Sequence, residues 1–302
     1  MHKESKKAVV AALFGNLCIA VFKLVAALIS GSSSMLAEGY HSISDTFNQV
    51  LLLYGLKKSR KPPDKQHPFG HGKEQFFWSF MVAVILFGIA GTLSIREGYH
   101  KFLHPEPIHR IGLVYLAIAV GVIFETYVFR IAIRNIKREM RGEQHKNLIE
   151  AIKHSKDPTT ITVLVEDSLA LAGLFVAAVA ITIVHFTGIL VIDAVASIVI
   201  GVLLMVFALF LAFETKNLLL GEAVTPLKRR KILRAVRSFN EIEKVISLKT
   251  MHLSPEEVLV TLEIDYKNGI IVDELERLND RIESKIKEII PNAKIYLEPE
   301  NK

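Results

Sequence analysis

The chain has one cysteine, Cys18, among 302 residues, which excludes an internal disulfide and with it a small disulfide-stapled scaffold. No repeat with a period of roughly 20–50 residues runs through it, which excludes solenoids and propellers. It carries no nucleophile motif and no glycine-rich phosphate loop, so nothing in it points to an embedded hydrolase or a nucleotide enzyme. Charge is missing from three long stretches: residues 75–95, 168–192 and 194–213 contain no Asp, Glu, Lys or Arg. Yet 23% of all residues are charged, an ordinary share, while mean hydropathy reaches +0.35. Charge and apolarity are therefore segregated along the chain, which argues against a single soluble domain and against a disordered one.

The charge-free stretches are each long enough for a membrane span, since a hydrocarbon core of about 30 Å takes about 20 helical residues. Residues 8–30 form a similar run interrupted by Lys23, and 111–129 one interrupted by Glu125. Residues 34–56 are less apolar, with Glu38, His41 and Asp45, and lie between the serines at 32–34 and the basic run 57–61. The pattern predicts a polytopic α-helical membrane protein with six helices near 8–30, 34–57, 74–97, 111–134, 159–185 and 189–213. The first run lacks a small-residue cleavage pattern and turns straight back into another span, so it reads as a helix rather than a signal peptide.

Basic residues orient these spans. Sixteen Lys or Arg fall in segments 1–7, 57–73 and 134–158, against three (Arg96, Lys101 and Arg110) on the other side. Both termini are expected in the cytoplasm, and the net charge of +6 becomes a topology signal rather than a sign of nucleic acid. With no organelle-targeting segment evident, the expected location is the cell membrane. The composition changes near residue 214. Residues 1–213 are read as the membrane domain and 214–302 as a small cytoplasmic α+β domain, with a basic helix at 226–238 and strands at 244–252, 257–265 and 293–298. Between the last two strands, Asp273 and Glu276 resemble a capping box ahead of a helix with Leu275, Leu278, Ile282, Ile286 and Ile289 on one face. The free edges of so small a sheet invite a partner chain.

Ionisable groups at membrane depth are costly and mark function by default. His41 and Asp45 stand four residues apart, on one helical face. An N/O ligand pair suits a borderline divalent metal such as zinc. Asp167 in the fifth helix would complete a three-ligand site with room for water or another group. Glu166 points about 100° away from its neighbour. It is a fourth ligand, a proton carrier or the partner of Lys23, and Glu38 is an equal candidate for that last role. Asn48 reads as an interhelical hydrogen-bonding residue, and Asp193 as a helix cap. Glu125 has no evident place. In the loop after the second helix, Asp64, His67 and His71 offer three O/N ligands within eight residues. A Gly- and Pro-rich loop of this kind is also simply solvated.

Taken together, three segments carry a resemblance: Gly31-Ser-Ser-Ser-Met-Leu-Ala-Glu-Gly-Tyr-His-Ser-Ile-Ser-Asp45, His67-Pro-Phe-Gly-His-Gly-Lys73 and Asp193-Ala-Val-Ala-Ser197. The chain resembles the cation diffusion facilitator (cation efflux) family of metal–proton antiporters, and Glu166-Asp167 is similar to the branch of the mitochondrial zinc transporter of animals. The resemblance implies a homodimer with six membrane helices per subunit and a cytoplasmic ferredoxin-like dimerisation domain. It implies export of a divalent cation, zinc first, in exchange for protons, with no prosthetic group and no enzymatic activity. It places His41, Asp45 and Asp167 as ligands of the central metal site, and Asp64, His67 and His71 as a loop metal site. Val163 stands where the family has His or Asp, which leaves manganese, iron or cobalt as alternative cargo, or a partner subunit with a degenerate site. The tail has a single histidine, His252, and lacks the family's metal-sensing histidine pattern.

Overall fold

The computed structural model describes the backbone of residues 3–143 and 158–300, and the side chains of 13–85, 89–131, 133, 134, 164 and 166–300. It divides into two compact units, residues 1–56 with 77–215, and residues 57–76 with 216–302.

The first unit is helical. It contains α1 (Lys3–Ser30), α2 (Ser33–Ser59), α3 (Glu74–Ile85), α4 (Thr92–Leu103), α5 (Ile111–Glu143), α6 (Pro158–Thr187) and α7 (Val191–Leu220), the ends of α2, α3 and α7 running into the second unit. A π-helical turn, Leu86–Gly91, joins α3 to α4, so the expected third helix is one rod with a widened turn inside it. Among the described residues, five spans are long and apolar enough to cross a membrane: Leu13–Ser30, Glu74–Leu103, Ile111–Ile131, Glu166–Thr187 and Val191–Leu220. The 27-residue α2 falls outside that group because its middle is polar. Its length, about 40 Å at 1.5 Å per residue, would still suffice.

Helix faces sort by side-chain size. Phe14, Leu28, Phe175, Phe186 and Val206 are exposed, as lipid-facing side chains are in a structure without lipid. Small residues line the seams, where backbones must approach without a hydrophobic drive between helices. On the α4–α7 seam a Cβ added at Gly98 would lie 2.7 Å from the Ala194 carbonyl oxygen. Ser197 donates to the Ser94 carbonyl across the same seam at 2.8 Å.

Asp193 corrects the expectation of a cap on its own helix. Its carboxylate accepts from the Ser33 and Ser34 backbone N–H groups at 2.6 and 3.2 Å, from the Ser32 and Ser33 hydroxyls at 2.9 Å, and from the Ser34 hydroxyl. It caps the N-terminus of α2 from the first turn of α7, where a carboxylate meets the positive end of the helix dipole.

The second unit carries α8 (Pro226–Val236), β1 (Ile242–His252), β2 (Val258–Tyr266), α9 (Val272–Lys287) and β3 (Ala293–Glu300). The sheet order is β1-β2-β3, with β1 and β2 antiparallel and β2 and β3 parallel. Val258, Val260, Leu262 and Ile264 alternate inward from β2 and pack with Ile232 of α8 and Leu278, Ile282 and Ile286 of α9. These are five elements of the six in the β-α-β-β-α-β pattern, without an opening strand among the described residues. Thr225 caps α8 by accepting from Lys228 N–H, with Pro226 following it. The expected capping box on α9 is absent. The N-cap is Ile271, in extended conformation with no side-chain bond, and Asp273 and Glu274 sit in the first turn, where they favour the dipole.

Candidate metal sites

The polar middle of α2 turns into the bundle. His41 is fully buried, and its Nδ1 lies 3.2 Å from Asp45 Oδ1, one helical turn on. The contact is too poorly aligned for a hydrogen bond: His41 Nδ1, His41 Nε2 and Asp45 Oδ1 are buried without a partner. Asp167, brought in by α6, is 8% exposed, and its Oδ2 is likewise buried and unpartnered. Asp45 and Asp167 line one cleft together with Glu125, Glu166 and Ser42. Orphaned buried polar atoms are rare, because each forfeits its hydration without return. Four of them fall on His41, Asp45 and Asp167.

The surrounding charges resolve the open pairings. Lys23 Nζ lies 3.1 Å from Glu38 Oε2 and 3.5 Å from Glu125 Oε1, and donates to Ser42 Oγ at 2.9 Å. Glu38 is thus a partner of Lys23, as is Glu125, for which the sequence offered no place. Glu166 accepts instead from Asn48 Nδ2 at 2.9 Å, which makes Asn48 an interhelical link between α2 and α6. Sequence reasoning missed Glu125 because it sits alone in an apolar run. The signal available was a second lone charge, Lys23, in another such run. The backbone of Val163 lies within α6, but its side chain is outside the described residues.

The loop group is built on the other principle. Among the described residues, Asp64, His67 and His71 form the one group of three whose ligand atoms all lie within 4.8 Å of one another. Asp64 Oδ1 accepts from the Gln66 and His67 backbone N–H groups at 2.9 and 2.7 Å, a turn that a carboxylate two or three residues upstream readily closes. The His67 N–H above all holds the Asp64 carboxyl below the usual carboxylate range. Gly70, at φ +89°, lets the chain double back so that His71 Nε2 comes 3.4 Å from Asp64 Oδ2. The two imidazole rings are 4.3 Å apart. Within the same unit the loop is fastened to the tail. Lys294 donates to the Phe69 carbonyl at 2.9 Å, Lys73 donates to the Leu219 carbonyl at 3.2 Å, and Phe69 meets Tyr296 edge-on.

Residues 9–220 match the protein-family model described as the cation efflux transmembrane domain. Metal tolerance protein C4 of Arabidopsis thaliana is 31% identical over 270 residues, 89% of this chain and 59% of that protein. The human mitochondrial proton-coupled zinc antiporter SLC30A9 is 28% identical over 269 residues, 89% of this chain and 47% of that protein. The chain thus spans about half the length of these curated relatives. The uncharacterized transporter MJ0449 of Methanocaldococcus jannaschii is 20% identical over 299 residues, 98% of each chain.

Proposed function

Because the chain belongs to the cation efflux family, whose members are transporters rather than enzymes, we propose that it exports a divalent metal cation, zinc first, in exchange for protons. The observation that carries this reading is the set of buried, unpartnered ligand atoms on His41, Asp45 and Asp167 inside an apolar helix bundle. Such a set is stable only when something positive fills it. A dication does so when the ligands are deprotonated, and protons do so when it leaves. Competition between the two for the same atoms is the chemistry of an antiporter. Histidine is suited to this exchange because its charge changes near physiological pH.

In this reading the site opens alternately to either side of the membrane. A cytosolic ion displaces protons from the three residues, the bundle rocks, and protons rebind as the ion departs. The polar α2 is the sixth span, with Glu38 and His41 buried in the bundle and Phe47, Val50 and Tyr54 left on its exposed face. Exposure to lipid of the face with Glu38, His41 and Asp45 on it would be prohibitive. Both termini are cytoplasmic, the membrane is the cell membrane, and Asp64, His67 and His71 hold a second ion outside the bilayer. The α8–β1–β2–α9–β3 tail, with sheet edges on β1 and β3, pairs two chains into a homodimer.

The zinc antiporter named above, 28% identical over 89% of this chain, supports zinc as the cargo. Val163 favours a second reading of the same site, with manganese, iron or cobalt preferred, because an apolar side chain at that place removes a nitrogen or oxygen ligand and relaxes tetrahedral selection. Proton-gradient-driven uptake into inside-out vesicles, compared across zinc, manganese, iron, cobalt and cadmium, tests both readings. Acid-inside vesicles should accumulate zinc, and accumulation should collapse when the gradient is dissipated. Uptake indifferent to the gradient contradicts proton exchange, and a stronger response to manganese selects the second reading.

A further inference from the structure

The bundle places two more carboxylates at the cleft, Glu125 and Glu166, than a site of His41, Asp45 and Asp167 uses, and Asn48 already donates to Glu166. Glu125, on α5, is 8% exposed and lines the cleft that Asp45 and Asp167 line. Its cation is Lys23, at 3.5 Å from Oε1. Lys23, however, is already committed. It is fully buried, donates to Glu38 Oε2 at 3.1 Å and to Ser42 Oγ at 2.9 Å, and is penned in by α5. A Cβ at Gly121, one turn before Glu125, would lie 3.1 Å from Lys23 Cε. One ammonium therefore faces two carboxylates and hydrogen-bonds one of them. Glu125 is left as a nearly buried carboxylate with a partial share of a cation, an expensive arrangement unless more positive charge arrives. Beside it in the cleft, Asp167 has an oxygen buried with no partner. Asp45, Glu125, Glu166 and Asp167 put four carboxylates around one cleft; Glu166 is held by Asn48, while Glu125 and Asp167 are under-compensated, and together they form a place for a dication.

We propose that Glu125 is a fourth, oxygen ligand of the transported cation, completing with His41, Asp45 and Asp167 the site to which the apolar Val163 cannot contribute. Lys23 steadies one Glu125 oxygen while the ion takes the other. The resulting set, one nitrogen and three carboxylates, is harder than a set rich in histidine and raises the standing of manganese relative to zinc. This rests on the reading that the cleft holds the cargo, and the test separates the two.

Initial transport rates of zinc and manganese are measured with the full chain in proteoliposomes. The variants are Glu125→Gln, Glu38→Gln, Lys23→Met combined with Glu125→Gln, and Asp45→Ala. Glu125→Gln should raise the KM for manganese by about tenfold or more, the scale of losing a group that supports a metal. The KM for zinc should rise less, and kcat should change less than either. Glu38→Gln removes the other carboxylate of Lys23 but none of the cleft, and should leave the manganese-to-zinc preference as in the wild type. The double variant restores the wild-type net charge of the Lys23, Glu38 and Glu125 triangle, though it leaves Glu38 without its cation, and should not recover the KM. If Glu125→Gln keeps both wild-type KM values, or if the double variant restores them, Glu125 only neutralises Lys23 and the proposal is overturned. Wild-type transport by Asp45→Ala would instead overturn the underlying site, whatever Glu125 does.

Discussion

The two His/Asp groups of this chain use the same side chains under opposite conditions. Asp64 and His67 are half exposed, and Asp64 is tied down by backbone N–H groups, so the loop group is closed to within 4.8 Å before any ion arrives, with His71 Nδ1 its one buried atom lacking a hydrogen-bond partner. His41 and Asp167 are buried, their ligand atoms are orphaned, and they are not gathered into a group of that tightness. A preformed, solvated site suits an ion that stays. On the proposed reading, an unfinished, desolvated one suits an ion that must also leave, because part of its coordination forms only with the ion. The difference is also electrostatic. In water the Asp64–His67 contact is screened and worth little, whereas burial makes each unmatched charge on α2, α5 and α6 decisive.

The comparison breaks first at Asp45 and Asp167. Asp45→Ala or Asp167→Ala should lower zinc transport in vesicles by roughly a hundredfold or more, since a dication in a low-dielectric site loses a charged ligand. For Asp167→Ala, thermal unfolding in detergent should be unchanged or slightly raised, because its unpartnered buried carboxylate opposes folding. Asp193→Ala should do the reverse. It strips five hydrogen bonds from the N-terminus of α2 and should destabilise the bundle by about 3 kcal/mol, read as a lowered midpoint of unfolding. Next in size, His67→Ala combined with His71→Ala should remove one bound zinc per chain in equilibrium dialysis, while the transport rate falls by less than about tenfold.

The smallest effect lies in the tail. Burial pushes the Tyr266 phenol up to about 12, and its hydroxyl donates to Asn279 Oδ1 at 2.7 Å. The folded tail therefore keeps a proton that the unfolded chain loses from its ordinary value of 10.0 upward. That contribution to stability is complete below pH 10 and is lost as pH rises towards 12. Alkaline unfolding followed by tyrosinate absorbance should show this loss in the wild type and lack it in Tyr266→Phe. Asp64 has the opposite sign. Its lowered carboxyl favours the closed loop above its ordinary value of 3.8, and that preference fades only as pH falls through a still lower value.

What could be read from the sequence follows from how local the signal is. The apolar helices are legible because a bilayer demands about 20 residues of one character in a row. The strand β2 is legible because alternation has a period of two. His41 and Asp45 are readable as a pair because helical spacing puts them on one face. The α2 cap was not readable, because Ser32–Ser34 and Asp193 are 159–161 residues apart and meet only through packing. The same holds for the triangle of Lys23, Glu38 and Glu125. Lys23 and Glu125, lone charges in two apolar runs, each signal a partner, and Glu38 was one of two candidates for Lys23, but sequence spacing does not say which charges meet. The α9 cap failed for a different reason: Asp273 and Glu276 have the right spacing, but the helix begins one residue before Asp273, which moves both out of register.

In the proposed mechanism the ion that crosses the membrane is held by the orphaned atoms on His41, Asp45 and Asp167 rather than by the ready-made loop group. The most direct measurement is proton-gradient-driven zinc uptake into inside-out vesicles by a chain with Asp64, His67 and His71 all changed to alanine, alone and combined with Asp167→Ala. The account predicts continued gradient-dependent uptake by the loop variant and none by the combination. Loss of uptake in the loop variant, or uptake surviving the loss of Asp167, would contradict it.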